Sequence, residues 1–156
     1  MYPVILAIHS LIRWLVLISL IYAIYRSHNG LKTNKSFSKF DNSVRHNTAT
    51  IAHIQLIFGV WIYFISPLIA YFYSNFSYAL HQREIRFFGM EHSVMMLSGI
   101  IILTIGSAKA KRKTNDLEKY KTILTWYSIS LFVIITSIPW KFSPLISRPY
   151  FRFFYT

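Results

Sequence analysis

Six polar side chains interrupt stretches that are otherwise almost wholly apolar. They are His9 and Arg13 in YPVILAIHSLIRWLVLISLIYAIY, His53 and Gln55 just after Ile51, and Glu91 with His92 in FFGMEHSVMML. An arginine near the middle of a lipid-embedded helix costs about 2.5 to 3.5 kcal/mol on insertion scales, so such residues pair with one another or face a protein interior. Two neutral imidazoles on facing helices can bind the two axial positions of a haem iron. Taken singly, each residue has a plainer reading. A histidine near a helix end can hydrogen-bond a neighbouring backbone, and Arg13 can pair with Glu91.

The elements that would carry these residues follow from composition. The chain has 156 residues, 54% hydrophobic and 14% charged, with a net charge of +12 from 17 Lys and Arg against 5 Asp and Glu. A basic excess of this size suits nucleic acid or an anionic membrane surface. Here the apolar residues fall in four long blocks, at 2–25, 51–73, 88–108 and 122–140. A hydrocarbon core of roughly 30 Å needs about 20 helical residues, so each block is long enough to span. The expected fold is all-α: an integral membrane, up-down four-helix bundle in domain 1–142, with sequential helices as antiparallel neighbours.

Charge sets the expected orientation. The connections 26–50 and 109–121 hold 11 Lys and Arg, whereas 74–87 and the tail from Lys141 hold 5. The positive-inside rule then puts the first two in the cytoplasm and both termini on the outer, periplasmic side. Nucleic acid drops out as a partner, and the bilayer takes its place. Met-Tyr-Pro carries no positive n-region and no A-x-A site follows, so the first block is expected to be retained. The tail at 143–156, rich in Arg, Phe and Tyr, reads as an interfacial segment. Absence of Cys removes disulfides, thiolate sites and covalent haem attachment.

With both termini outside, His9 lies about 7 residues, or roughly 11 Å, from the outer end of its helix, and His92 about 4 residues, or roughly 6 Å, from the outer end of its own. Helices one and three are diagonal in an up-down bundle, so the two imidazoles face each other across its widest gap. A flat macrocycle fits such a gap; a small chelated ion would want adjacent helices. The pair therefore points to haem b, with His9 and His92 as iron ligands. On the third helix Met96 and Gly99 share the face of His92. Gly99 would admit a porphyrin, although a small-residue stripe continued by Gly106 is ordinary transmembrane packing. Arg13, one turn below His9, balances either a propionate or Glu91. Arg83 and Arg86 are rim alternatives.

His53 starts the second helix near the inner surface, and Gln55 points to nearly the opposite face. A second haem or a quinone contact there is the weaker reading; a structural histidine is the default. Too few carboxylates exist for a di-iron site. H-E-x-x-H, G-x-G-x-x-G, Walker and G-x-S-x-G motifs are all missing, so hydrolase and nucleotide chemistry are unsupported.

The strings HSLIRW from His9, HIQLIFGVWIYFISP from His53, RFFGMEHSVMM from Arg86, LTIGSAKAKR from Leu103 and IPWKF from Ile138 resemble, in order, a family of small four-span bacterial membrane proteins labelled cytochrome b or cytochrome b-like. The likeness covers residues 1 to about 142. It departs where Lys141 stands between Trp140 and Phe142, in place of a second proline. The resemblance implies His9, Arg13, His53, Gln55, Glu91 and His92 as the polar motif positions, haem b as cofactor and the bacterial inner membrane as location. The expected function is an electron carrier with iron cycling between ferric and ferrous, linked to the quinone pool and to another redox membrane subunit. The alternative is a cofactor-free accessory or assembly subunit, with Arg13 and Glu91 locking the bundle and the core between helices one and three filled.

Overall fold

The computed structural model describes residues 1–140, so the expected interfacial tail at 143–156 lies outside the described residues. Helix α1 covers Tyr2–Lys32, α2 Lys39–Ile65, α3 Pro67–Ser74, α4 Phe76–Ala79 and α5 Arg83–Arg86. A π-helical turn at Phe87–Glu91 leads into α6, His92–Arg112, and α7 covers Asp116–Ser137. The described residues contain helices and no strand.

Among the described residues, three helical rods are long and apolar enough to cross a membrane: α1, α2, and the continuous stretch Arg83–Arg112. They give the chain the character of a multi-pass membrane protein. Helix α7, 22 residues long, lies outside that set, so the fourth span expected over 122–140 is not among them.

Helix boundaries differ from the sequence expectation: the connection expected over 109–121 shortens to 113–115, and α7 ends at Ser137 instead of 140. The connection expected over 26–50 is mostly helix: α1 runs on to Lys32, and α2 begins at Lys39. A capping box accounts for the early start. The Ser38 hydroxyl accepts from the Asp41 backbone N–H, while the Asp41 carboxylate accepts from the Ser38 backbone, so two orphan donors are satisfied at once. Conversely, the single helix expected over 51–73 is broken. Ser66 adopts φ −77° and ψ 123°, and α3 restarts with Pro67 in its first turn. The proline ring disfavours helical geometry at the preceding residue and offers no N–H, so the break falls where Pro67 places it.

Helix α1 packs on α2 and α7, and α6 packs on α7 and α2, which puts α1 and α6 on a diagonal. Leu20, Ala23, Ala52, Leu103, Ile123 and Tyr127 fill the middle of the bundle. Leu11, Leu15, Ile18, Ile57, Phe64 and Phe132 are exposed, as lipid-facing side chains would be. Gly106 is pressed against the Trp126 side chain so closely that an added Cβ would overlap it, which lets α6 and α7 approach.

The bundle end that carries the α1–α2 and α6–α7 connections is closed by polar pairs. Asp41 Oδ1 accepts from the Arg26 guanidinium, and Oδ2 accepts from Ser38 Oγ at 2.6 Å and Tyr120 Oη at 2.8 Å. Arg45, also buried, donates to Asn42 Oδ1 and to the Ser107 carbonyl, while the Tyr127 hydroxyl donates to the Arg45 carbonyl at 2.8 Å. Every polar side chain in this cluster has a partner, which a dry interior requires.

Candidate functional site

At the opposite end, a cavity of about 430 Å³ opens between α1, α2, α3 and α6. Its size falls in the range of roughly 300 to 1,000 Å³ typical of small-molecule sites. The break at Ser66 shapes it, because Ser66, Leu68 and Ile69 line its rim. The lining is mainly apolar, with His9, Arg13, Gln55 and His92 as the strongly polar members.

His92 sits at the junction of the π-helical turn and α6. Its Nδ1 lies 2.9 Å from the Ser137 carbonyl of α7. A carbonyl only accepts, so Nδ1 carries a proton, and in the neutral ring Nε2 keeps its lone pair. Metal-ligating histidines commonly present this arrangement, the second nitrogen donating to a carbonyl that fixes ring and tautomer. The π turn is itself held in place: Tyr63, on the cavity wall, donates its hydroxyl to the Gly89 carbonyl at 2.8 Å and accepts from Tyr73 at 2.8 Å.

His9 is set differently. The Gln55 amide nitrogen donates to the His9 carbonyl at 3.0 Å, which fixes which way the amide points, and the same nitrogen lies 3.2 Å from His9 Nε2. His9 Nε2 is therefore an acceptor, and the proton belongs on Nδ1. As neutral rings, both cavity histidines thus carry the proton on Nδ1. Among the described residues, His9 Nδ1 and Gln55 Oε1 are buried without a hydrogen-bond partner. An orphaned buried polar atom costs about 1 to 3 kcal/mol, so the pair marks local frustration. Gly59, one turn beyond Gln55, completes the setting: a Cβ there would come within 3.2 Å of His9 Cε1.

The other expected positions are distributed as follows. Arg13 lines the cavity, reaches Ser10 Oγ at 3.4 Å and lies over the Trp14 ring. Met96 is also on the wall. Glu91 pairs with Arg86 at 2.7 Å on the partly exposed rim, an alternative to the Arg13–Glu91 pair considered from sequence. Gly99 faces α7, where an added Cβ would meet Ile134, and its carbonyl accepts from Ser130 Oγ at 2.8 Å. That is helix packing rather than contact with the cavity. His53 Nε2 lies 2.9 Å from Thr104 Oγ1, whose own proton goes to the Ile100 carbonyl; His53 therefore donates, and it ties α2 to α6 away from the cavity. Its position suits the structural role.

Gly59, Tyr63 and the Ser137 carbonyl were not picked out from sequence. The spacing Gln55-x-x-x-Gly59 carries a signal for the first, since residues four apart share a helix face. Nothing in a sequence marks a particular carbonyl as the anchor of a distant imidazole.

Among the described residues no three metal-ligating side chains cluster, so the site offers two nitrogens and no cage for a small ion. Outside the apolar segments, burial pushes the Asp41 carboxyl up, but hydrogen bonds from Ser38, Arg26 and Tyr120 outweigh it and hold it at about 2. Burial, and then the bond to Asp41, push the Tyr120 hydroxyl to about 12. No family model, curated protein or solved structure matches the chain. Functional meaning must accordingly come from the chemistry of the site.

Proposed function

We propose that the protein is a small b-type cytochrome-like electron carrier of the bacterial inner membrane, a four-span bundle with both termini outside, that holds one haem b between His9 and His92. The observation that carries this reading is the pair of imidazoles, His92 anchored through Nδ1 and His9 contacted at Nε2, on diagonal helices around one largely apolar cavity of about 430 Å³. Haem supplies one-electron ferric/ferrous chemistry when bound.

The residues of the chain would do the rest. His92 is oriented by the Ser137 carbonyl, and the apolar wall excludes water, which favours the less charged reduced state. Arg13, on the cavity wall, would be the cation that balances a buried carboxylate of the cofactor. Electrons would pass between membrane quinol and another redox subunit. The accessory-subunit alternative called for a filled core between the first and third long helices, and the cavity favours the cytochrome reading over it.

Absorption spectroscopy of protein purified from haem-sufficient cells tests the proposal. Reduced-minus-oxidised bands of low-spin haem are expected, with about one haem per chain by pyridine haemochrome, and loss of the low-spin spectrum in His9→Ala and His92→Ala. A colourless preparation would overturn it.

A further inference from the structure

The two histidines are not equivalent. Ser137 holds His92 with its Nε2 lone pair unclaimed by any hydrogen bond among the described residues, whereas the Gln55 amide N–H points at the corresponding nitrogen of His9. At the same place His9 Nδ1–H is a donor without an acceptor, and Gln55 Oε1 an acceptor without a donor. These two orphans are complementary. Re-pairing Nδ1–H with Oε1 satisfies both and releases Nε2 toward the cavity. The missing Cβ at Gly59 leaves space beside the ring for that rearrangement.

We infer that Gln55 is a positioning residue that switches His9 between two pairings, one that occupies Nε2 and one that supports it as a ligand through Nδ1–H. The inference rests on the haem reading for its consequence, though the pairing itself exists without haem. His92 is then the permanent ligand and His9 the conditional one, so the His9 side is the side open to a small exogenous ligand such as carbon monoxide. A neutral amide suits this role because it both donates and accepts. Glutamate can only accept from Nδ1–H, and leucine can do neither.

The test compares wild type, Gln55→Leu and Gln55→Glu in lipid nanodiscs, with two readouts. In haem-free protein, 15N spectra of labelled histidine report the His9 nitrogens. Gln55→Leu should remove the hydrogen-bond shift at Nε2 while leaving His92 in place. In haem-loaded protein, the ferrous carbon monoxide difference spectrum reports how firmly His9 binds. The reactive fraction should rise in Gln55→Leu, with haem retention about 10- to 100-fold weaker, as for loss of an outer-shell partner. It should fall below wild type in Gln55→Glu. Leucine brings in no buried charge, so it answers the question even where glutamate weakens the fold. Unchanged His9 shifts and an unchanged carbon monoxide fraction in Gln55→Leu would overturn the inference. A wild type that takes up no haem would overturn the cytochrome proposal instead, and the 15N comparison would still decide the Gln55–His9 pairing.

Discussion

Replacing Asp41 by asparagine tests whether charge, rather than shape, closes the turn end of the bundle. Asp41 is 4% exposed and accepts from Arg26, Tyr120, and both the backbone and hydroxyl of Ser38. It lies in the polar first turns of α2, ahead of the apolar segment that begins at Ile51. Its carboxyl is held at about 2 in the folded chain, against an ordinary 3.8. Each unit of such a difference is worth about 1.4 kcal/mol, so the ionised carboxylate stabilises the fold by about 2 kcal/mol. A folded pKa lowered below the unfolded one gives stability that is present in full above about pH 4 to 5 and is lost as pH falls through about 2. The amide introduced by Asp41→Asn keeps one acceptor oxygen and turns a donor toward groups that are themselves donors. The variant should therefore lose about 2 kcal/mol at pH 7. For a chain of this size that is a fall of about 4 to 8 °C in melting temperature. Thermal melts in non-ionic detergent, followed by tryptophan fluorescence from pH 7 to 2, provide the assay. Wild type should lose stability on acidification while the variant changes little, so the two curves converge near pH 2. A difference that stays constant across this range would show that contact geometry carries the effect, and the electrostatic reasoning would be wrong.

Gly106→Ala places a methyl group inside the Trp126 side chain and should destabilise the α6–α7 contact by about 1 to 3 kcal/mol, measured by the same melts. His53→Leu removes the bond to Thr104 and should cost about 1 kcal/mol of stability while leaving any haem spectrum unchanged; a spectral loss would move His53 into the site. The chain has no Cys, so single cysteines report topology cleanly. Cysteines replacing Lys35 and Lys113 should be labelled from the cytoplasmic side and one replacing Gln82 from the outer side by an impermeant maleimide. Labelling of all three from one side would refute the up-down arrangement. Gly59→Ala should shift the His9 15N resonances with little effect on stability, since the added methyl reaches only the ring edge.

Particular residues show how far the sequence could be read. His9, Arg13, Gln55 and His92 were legible because polar side chains in apolar helices are costly enough to require a reason, and all four line one cavity. The opposite facing of His53 and Gln55 was legible from helical period alone: one meets α6, the other α1. The extension of α2 back to Lys39 was written in Ser38 and Asp41, and its end in Ser66-Pro67. Both signals are local, but a hydropathy window averages them away, so helix bounds drawn from apolar runs missed them.

What the sequence determined by itself is the set of long apolar helices, their polar interruptions and the segregation of positive charge, because each depends only on composition and on a fixed rise and period along one helix. The tertiary structure decided which partner each polar group takes. Helical period fixes the relative angles of side chains on one rod but not the rotation of one rod against another. That rotation sends Gly99 to Ile134, and His92 to the Ser137 carbonyl. It also sets the Gln55 amide against His9 and leaves one donor and one acceptor of that residue pair without partners.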